Sequence, residues 1–206
     1  MLDAAARKGV VVSIVTFPES THTAADAARA VGAELGQIVK SLVFVAPDDD
    51  GGLQPIVVLA SGANRVDVAR LAAVVGERGI RRATAREASD LTGFTIGGIP
   101  PVGHARPVRV VMDPDLGRFP TVWAAAGTQN AVFEVPPATL RMLANAIVAP
   151  IAEEKPAAEK PAAETPADAG VTAGETSAAE KPADAGSADA GDPATGDPAT
   201  TASSGA

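Results

Sequence analysis

Cysteine and tyrosine are absent from all 206 residues, tryptophan occurs once, and His22 and His104 are the only histidines. Without cysteine there is no disulfide framework, no thiolate zinc site and no cysteine nucleophile, which fits a reducing compartment. Two histidines do not make a histidine-rich metal site, so no metal is expected. The longest apolar stretches, around residues 10–12 and 124–126, fall far short of the roughly 18 residues that span a bilayer. Near the start, Ser13 and Thr16 interrupt the apolar run and no small-residue cleavage site follows. The expectation is therefore a cytoplasmic protein with no membrane partner.

Charge is just as unevenly spread. Residues 152–206 hold eleven Asp and Glu against three Lys, so that segment carries the whole net charge of −8, while residues 1–151 balance 14 basic against 14 acidic side chains. A neutral domain does not hold nucleic acid by bulk charge, which excludes a DNA-coating role; such a partner needs a local basic patch or a shaped pocket. Residues 152–206 contain 18 Ala, 6 Pro and 6 Gly and no aromatic residue. Such a composition buries too little to offset ordering entropy, so a disordered acidic tail is expected, acting as tether or solubilising brush. Residues 1–151 have the size of one domain with one core.

Within residues 1–151 short strands alternate with helices. A helix over 1–8 is ended by Gly9, and the β-branched run at 10–16 reads as a strand. Thr23 with Asp26 has capping-box spacing and opens a helix that closes near Gly32. SLVFVA at 41–46 and QPIVVLA at 54–60 are apolar strands flanking an acidic, glycine-containing hairpin loop whose Asp residues lack calcium-loop spacing. Apolar residues at 66, 68, 71, 72, 74 and 75 predict an amphipathic helix over 64–75, stopped by Gly76, and a shorter helix follows over 85–91. Strands are expected at 94–96, 108–112, 121–126 and 131–135, then a closing helix over 138–147. Their short links favour antiparallel pairing in a mixed, curved sheet.

No nucleotide-binding loop, nucleophile elbow or metalloprotease helix motif is present. Three local features remain. In QIVKSLVF at 37–44, Lys40 is one of only two lysines in residues 1–151, against twelve arginines. It sits at the mouth of an apolar strand, where its ammonium either donates to a ligand carbonyl, ribose or phosphate or merely snorkels to water. GFTIGGIPPVGH at 93–104 has four Gly and two Pro in twelve residues. Such a loop either brings backbone NH groups close to a ligand or simply bends the chain, and His104 reads as a structural or rim histidine rather than a general base. AAAGTQNAVFEVPP at 124–137 is a hairpin whose Gly127 and Thr128 offer donors to the same pocket as Lys40 or serve only as a turn.

QIVKSLVF, GGIPPVGH, DPDL at 113–116 and VWAAAGTQNAVFEVPPATL, in this order, resemble the YbaK or prolyl-tRNA editing domain family of aminoacyl-tRNA deacylases from about residue 1 to 146. The resemblance implies an α/β fold with a mixed, curved, barrel-like sheet and flanking helices. It also implies a pocket for the aminoacylated 3′ end of a tRNA, and hydrolysis of the ester of a mischarged tRNA, alanyl- or cysteinyl-tRNA of the proline acceptor, in trans and without a cofactor. Lys40 matches the family's signature functional residue, and Gly127 and Thr128 match a glycine turn beside it. Ser41, Gly97, Gly98, Ile99, Pro100, Pro101, His104 and Asn130 complete the implied substrate site, with amides near Gly98 and Gly127 as hydrogen-bond donors. Arg81, Arg82, Arg86, Arg106, Arg109 and Arg118 are candidate phosphate contacts. Asn130 stands where relatives frequently carry histidine, and it cannot titrate near neutral pH. The rival reading is a non-catalytic module of the same fold that holds a tRNA end or a nucleotide.

Overall fold

The computed structural model describes residues 1–18, 23–48 and 50–154. In chain order its elements are α1 (Leu2–Arg7), β1 (Ile14–Thr16), α2 (Ala24–Val31), β2 (Val39–Pro47), β3 (Leu53–Ser61), α3 (Val68–Val75), β4 (Arg81–Arg82), α4 (Ala85–Thr92), β5 (Arg109–Met112), β6 (Val122–Ala125), β7 (Ala131–Val135), α5 (Pro137–Ala144) and β8 (Ile147–Val148), with 3₁₀ turns at Leu35–Gln37 and Pro114–Arg118. The tail expected over 152–206 lies outside the described residues except for 152–154, where Ala152 bridges Val66 and the Glu153 amide donates to the Arg65 carbonyl at 2.9 Å.

The two apolar runs make the centre of a five-stranded sheet ordered β4-β2-β3-β5-β8. β2 and β3 pair antiparallel from Val39 against Ser61 to Pro47 against Leu53, and both faces are covered, which is why they read as unbroken apolar stretches. Val43, Val45, Val57, Leu59, Val110 and Met112 face one core, shared with Phe133, Leu140 and Leu143. The alternate residues Phe44, Ala46, Ile56, Val58 and Val111 face a second core capped by Leu71 of α3. A three-stranded antiparallel sheet, β1-β7-β6, lies over the first core.

The expected single barrel-like sheet is instead two open sheets: β6 pairs with β7, and an Ile38–Trp123 bridge joins it to the start of β2 without closing a barrel. The five-stranded sheet is mixed, as expected, although not every pairing after the midpoint is antiparallel. β3 and β5 are parallel, with α3 and α4 between them supplying the crossover that parallel strands need, and β5 and β8 are parallel across the longer link through β6, β7 and α5. The expected strand at 94–96 is a bend in which the Thr92 hydroxyl accepts the Phe94 amide at 3.2 Å and Gly98 donates to the Thr95 carbonyl at 3.0 Å. Pairing at residues 10–16 begins only at Ile14. The helix expected from residue 64 starts at Val68, where the Asp67 carboxylate accepts the amides of Ala69 and Arg70 at 2.8 and 3.1 Å. The Thr23–Asp26 capping box is formed as read from the sequence. The closing helix stops at Ala144, because Asn145 turns left-handed with φ 50°.

Candidate active site

Lys40 is the second residue of β2, opposite Ala60, beside the turn Ser61-Gly62-Ala63-Asn64 that ends β3. Its ammonium donates to the backbone carbonyl of Asn64. That turn is fixed from below. The buried Asp113 carboxylate accepts the Ser61 amide at 3.1 Å, the Asn64 side-chain amide at 2.8 Å and the Asp115 amide at 3.0 Å, while the Asn64 side chain also donates to Asp115 at 2.8 Å. The Ser61 hydroxyl donates to the Gly36 carbonyl at 2.9 Å, and a Cβ at Gly62 would collide with the Leu35 carbonyl. The DPDL segment therefore holds the seat of the lysine.

A cavity of about 230 Å³ opens beside this seat. Its polar lining residues are Thr23 at the start of α2, Lys40 and Ser41 of β2, Arg82 of β4 and Gln129 of the β6–β7 turn. The remainder is mainly apolar, with Ala27 and Val31 from α2, Ile38, Ile99, Trp123 and Val132. Ser41 Oγ is buried, with no hydrogen-bond partner among the described residues. Burial pushes the Lys40 ammonium below the ordinary lysine range, Arg82 adds to the shift by repulsion, Asp113 opposes it, and Arg65 contributes a further lowering. The Arg82 guanidinium stacks over Phe44, 5.8 Å from the ring centre.

Lys40, Ser41, Gly97, Ile99 and the candidate phosphate contact Arg82 are thus brought together around one hollow; Gly98, Pro100, Pro101, His104, Gly127, Thr128 and Asn130 do not line it. Gly98 is buried and packs on Thr128, and its amide is committed to Thr95, so it offers no free donor. The Thr128 hydroxyl donates to the Asn130 side-chain oxygen at 2.9 Å, and the Asn130 amide donates to the Phe17 carbonyl at 3.2 Å. These bonds stabilise the turn that presents Gln129, whose side-chain amide donates to the Ile96 carbonyl at 2.8 Å. Gly127 has φ 115° and a Cβ there would meet Phe94. Pro100 and Pro101 are buried. His104 stands behind the loop, edge-on to Phe94, with Nε2 donating to the Pro100 carbonyl at 2.8 Å. Burial lowers its pKa; its bond to Pro100 ties the loop, and it does not line this cavity. Four of the six candidate phosphate contacts are ion-paired: Arg81 with Glu87, Arg86 with Asp90, Arg109 with Glu77 and Arg118 with Asp115. Arg82 and Arg106 have no carboxylate partner among the described residues. Trp123 and Gln129 were missed because neither has a chemistry-bearing spacing in the sequence.

Residues 18–143 match the aminoacyl-tRNA editing domain family. The chain belongs to it. The editing domain is 33% identical over 127 residues to protein YwhH of Bacillus subtilis, covering 62% of this chain and 78% of that one. It is 23% identical over 139 residues, 68% of this chain and 82% of that one, to a protein of Enterococcus faecalis named as a candidate Cys-tRNA(Pro)/Cys-tRNA(Cys) deacylase, EbsC. Among solved structures it is similar to a candidate trans-editing enzyme for prolyl tRNA synthetase, with TM-score 0.67 and 46% identity over 74% of this chain and 94% of that one. No helix of the described residues is long and apolar enough to cross a membrane.

Proposed function

We propose that this editing domain hydrolyses the ester of a mischarged aminoacyl-tRNA in trans, in the cytoplasm, acting on alanine or cysteine attached to the proline acceptor. The observation that carries the reading is that Lys40 and Ser41, whose buried hydroxyl has no hydrogen-bond partner among the described residues, both line one small, mainly apolar cavity. Small aliphatic walls suit a small amino-acid side chain, and the polar edge suits the ester and terminal ribose. An aminoacyl ester is already activated, so an oriented water needs no covalent nucleophile. Its oxygen bonds to the carbonyl carbon, the bond to the ribose oxygen breaks, and that oxygen leaves with a proton. The products are a free amino acid and a tRNA with its terminal hydroxyl restored.

One Lys40 proton is held by Asn64, which leaves two for the substrate, and Ser41 adds a hydroxyl donor to the developing oxyanion. These groups take the place of the glycine-turn amides. Losing one such donor costs about 2.7 to 4 kcal/mol of barrier, or about 10² to 10³ in rate. The test is a panel of mischarged tRNAs incubated with the full chain and with Lys40→Ala. The expected result is release of alanine or cysteine by the parent and at least a hundredfold loss in the variant, with unchanged circular dichroism. Full activity of Lys40→Ala overturns the assignment.

The position of Gly127 and Thr128 outside the cavity favours a second reading, a module that holds a tRNA end or nucleotide without turnover. Retained tRNA binding with no amino acid released from any member of the panel decides for it.

A further inference from the structure

A second cavity, of about 300 Å³, is lined by other residues of the loop that walls the first. Gly97 and Ile99 face the candidate active site, whereas Pro101, Val102, Gly103 and His104 line this other hollow. Its rim carries Arg7 and Lys8 from the end of α1 and Arg106 from the loop, and no carboxylate lines it. Its floor is apolar, built on Val108, Val110 and Leu143.

The charges on this rim are not spent elsewhere in the same way. Lys8 Nζ donates to the Leu143 carbonyl at 2.7 Å, which fixes its position at the end of α5 and leaves protons to spare. Arg7 and Arg106 take part in no ion pair among the described residues, although six of the other arginines do. In a domain whose basic and acidic side chains balance, three cations with no ion pair among the described residues around one concavity make a local positive field. Guanidinium groups suit phosphate oxygens through paired donors, and an apolar floor suits the face of a sugar or base.

We propose that this second cavity binds a phosphate group of nucleotide chemistry, held by Arg7, Lys8 and Arg106. Two sources share that chemistry: a backbone phosphate of the tRNA whose 3′ end occupies the first cavity, and a free mononucleotide. Only the first source rests on the editing reading; the phosphate site itself does not.

The experiment uses the full chain and the Arg7→Glu/Arg106→Glu double variant, with Arg78→Glu as a control at an exposed arginine outside both cavities. Inorganic phosphate and adenosine monophosphate are titrated while backbone amide resonances are followed. Uncharged tRNA is titrated separately at several salt concentrations. The expected result is saturable shifts confined to residues 101–108 and the end of α1, lost in the double variant and kept in the control. If the tRNA is the source, the double variant binds uncharged tRNA at least tenfold more weakly, and its salt slope falls by about 1 to 2. Its KM for aminoacyl-tRNA also rises, while hydrolysis of an aminoacyl-adenosine ester is unchanged. Shifts with adenosine monophosphate but unchanged tRNA affinity assign the site to the free nucleotide. No shift with either small probe and unchanged tRNA affinity overturn the proposal. Because the phosphate, nucleotide and uncharged-tRNA titrations need no turnover, an inactive enzyme that still binds phosphate rejects the editing function alone.

Discussion

The ammonium of Lys40 is anchored to the backbone carbonyl of Asn64, and the side chain of the same asparagine is bonded at 2.8 Å to both Asp113 and Asp115. The lysine is therefore aimed by residues that never reach the cavity themselves.

Loss of the buried carboxylate should first be felt as loss of stability. Asp113→Ala leaves the Ser61 amide, the Asn64 side-chain amide and the Asp115 amide without their acceptor. Each buried donor so orphaned costs about 1 to 3 kcal/mol. A drop of about 3 kcal/mol or more is expected in a urea titration followed by circular dichroism. A change below about 1 kcal/mol would mean that the turn finds other acceptors.

The charges around Lys40 predict opposed pH effects. A lysine needed as an ammonium loses its role as pH rises through its pKa, and burial has already moved that point below the ordinary lysine range. Arg82→Gln removes the next largest cause of lowering, so the alkaline fall of kcat/KM should move to higher pH. Asp113→Asn removes the charge that opposes the lowering, so the fall should move to lower pH. Rates are taken after subtracting the ester's own hydrolysis at each pH. Shifts of the same sign in both variants would exclude Lys40 as the titrating group.

Much of this arrangement was legible along the chain, for reasons that differ by element. β2 and β3 announce themselves because strands buried on both faces need unbroken apolar residues, and Thr23 with Asp26 is a local pattern three residues apart. Phe94, Thr95 and Ile96 look like a strand by composition, but the Thr92 hydroxyl captures the Phe94 amide and the chain bends. Two sheets, rather than one curving sheet, follow from pairing between distant segments that no local period records. Lys40 stood out because lysine is rare in the domain. Its supports did not, since Asn64 and Asp113 are 49 residues apart and each alone reads as an ordinary turn residue. Thr128 and Asn130 enter the expected site through the resemblance, yet the Thr128 hydroxyl is spent on the Asn130 side-chain oxygen and the Asn130 side-chain amide on the Phe17 carbonyl.

The contact between the glycine-proline loop and the β6–β7 turn predicts a site effect from a single methyl group. A Cβ on Gly98 would stand 2.7 Å from the Thr128 backbone, so one segment must move. Overpacking of this kind costs about 1 to 3 kcal/mol, and the displacement falls on Gly97 and Ile99, which wall the cavity. Gly98→Ala should lower the unfolding midpoint and reduce deacylation at least tenfold. Gly117→Ala, with open space around the added Cβ, should do neither.

Ser41 gives the sharpest separation of folding from function. Its hydroxyl is buried with no partner among the described residues, so the domain bears the desolvation of that oxygen without a compensating hydrogen bond from them. Ser41→Ala removes the unmet group and should leave stability equal or raise it by about 1 kcal/mol. If the hydroxyl is reserved for the substrate ester, the same variant should lose tenfold or more in kcat. A residue of purely structural value would show the reverse, a less stable chain with activity to match. Parallel urea titrations and single-turnover deacylation of parent and variant separate the two, and an unchanged rate would remove Ser41 from the reaction.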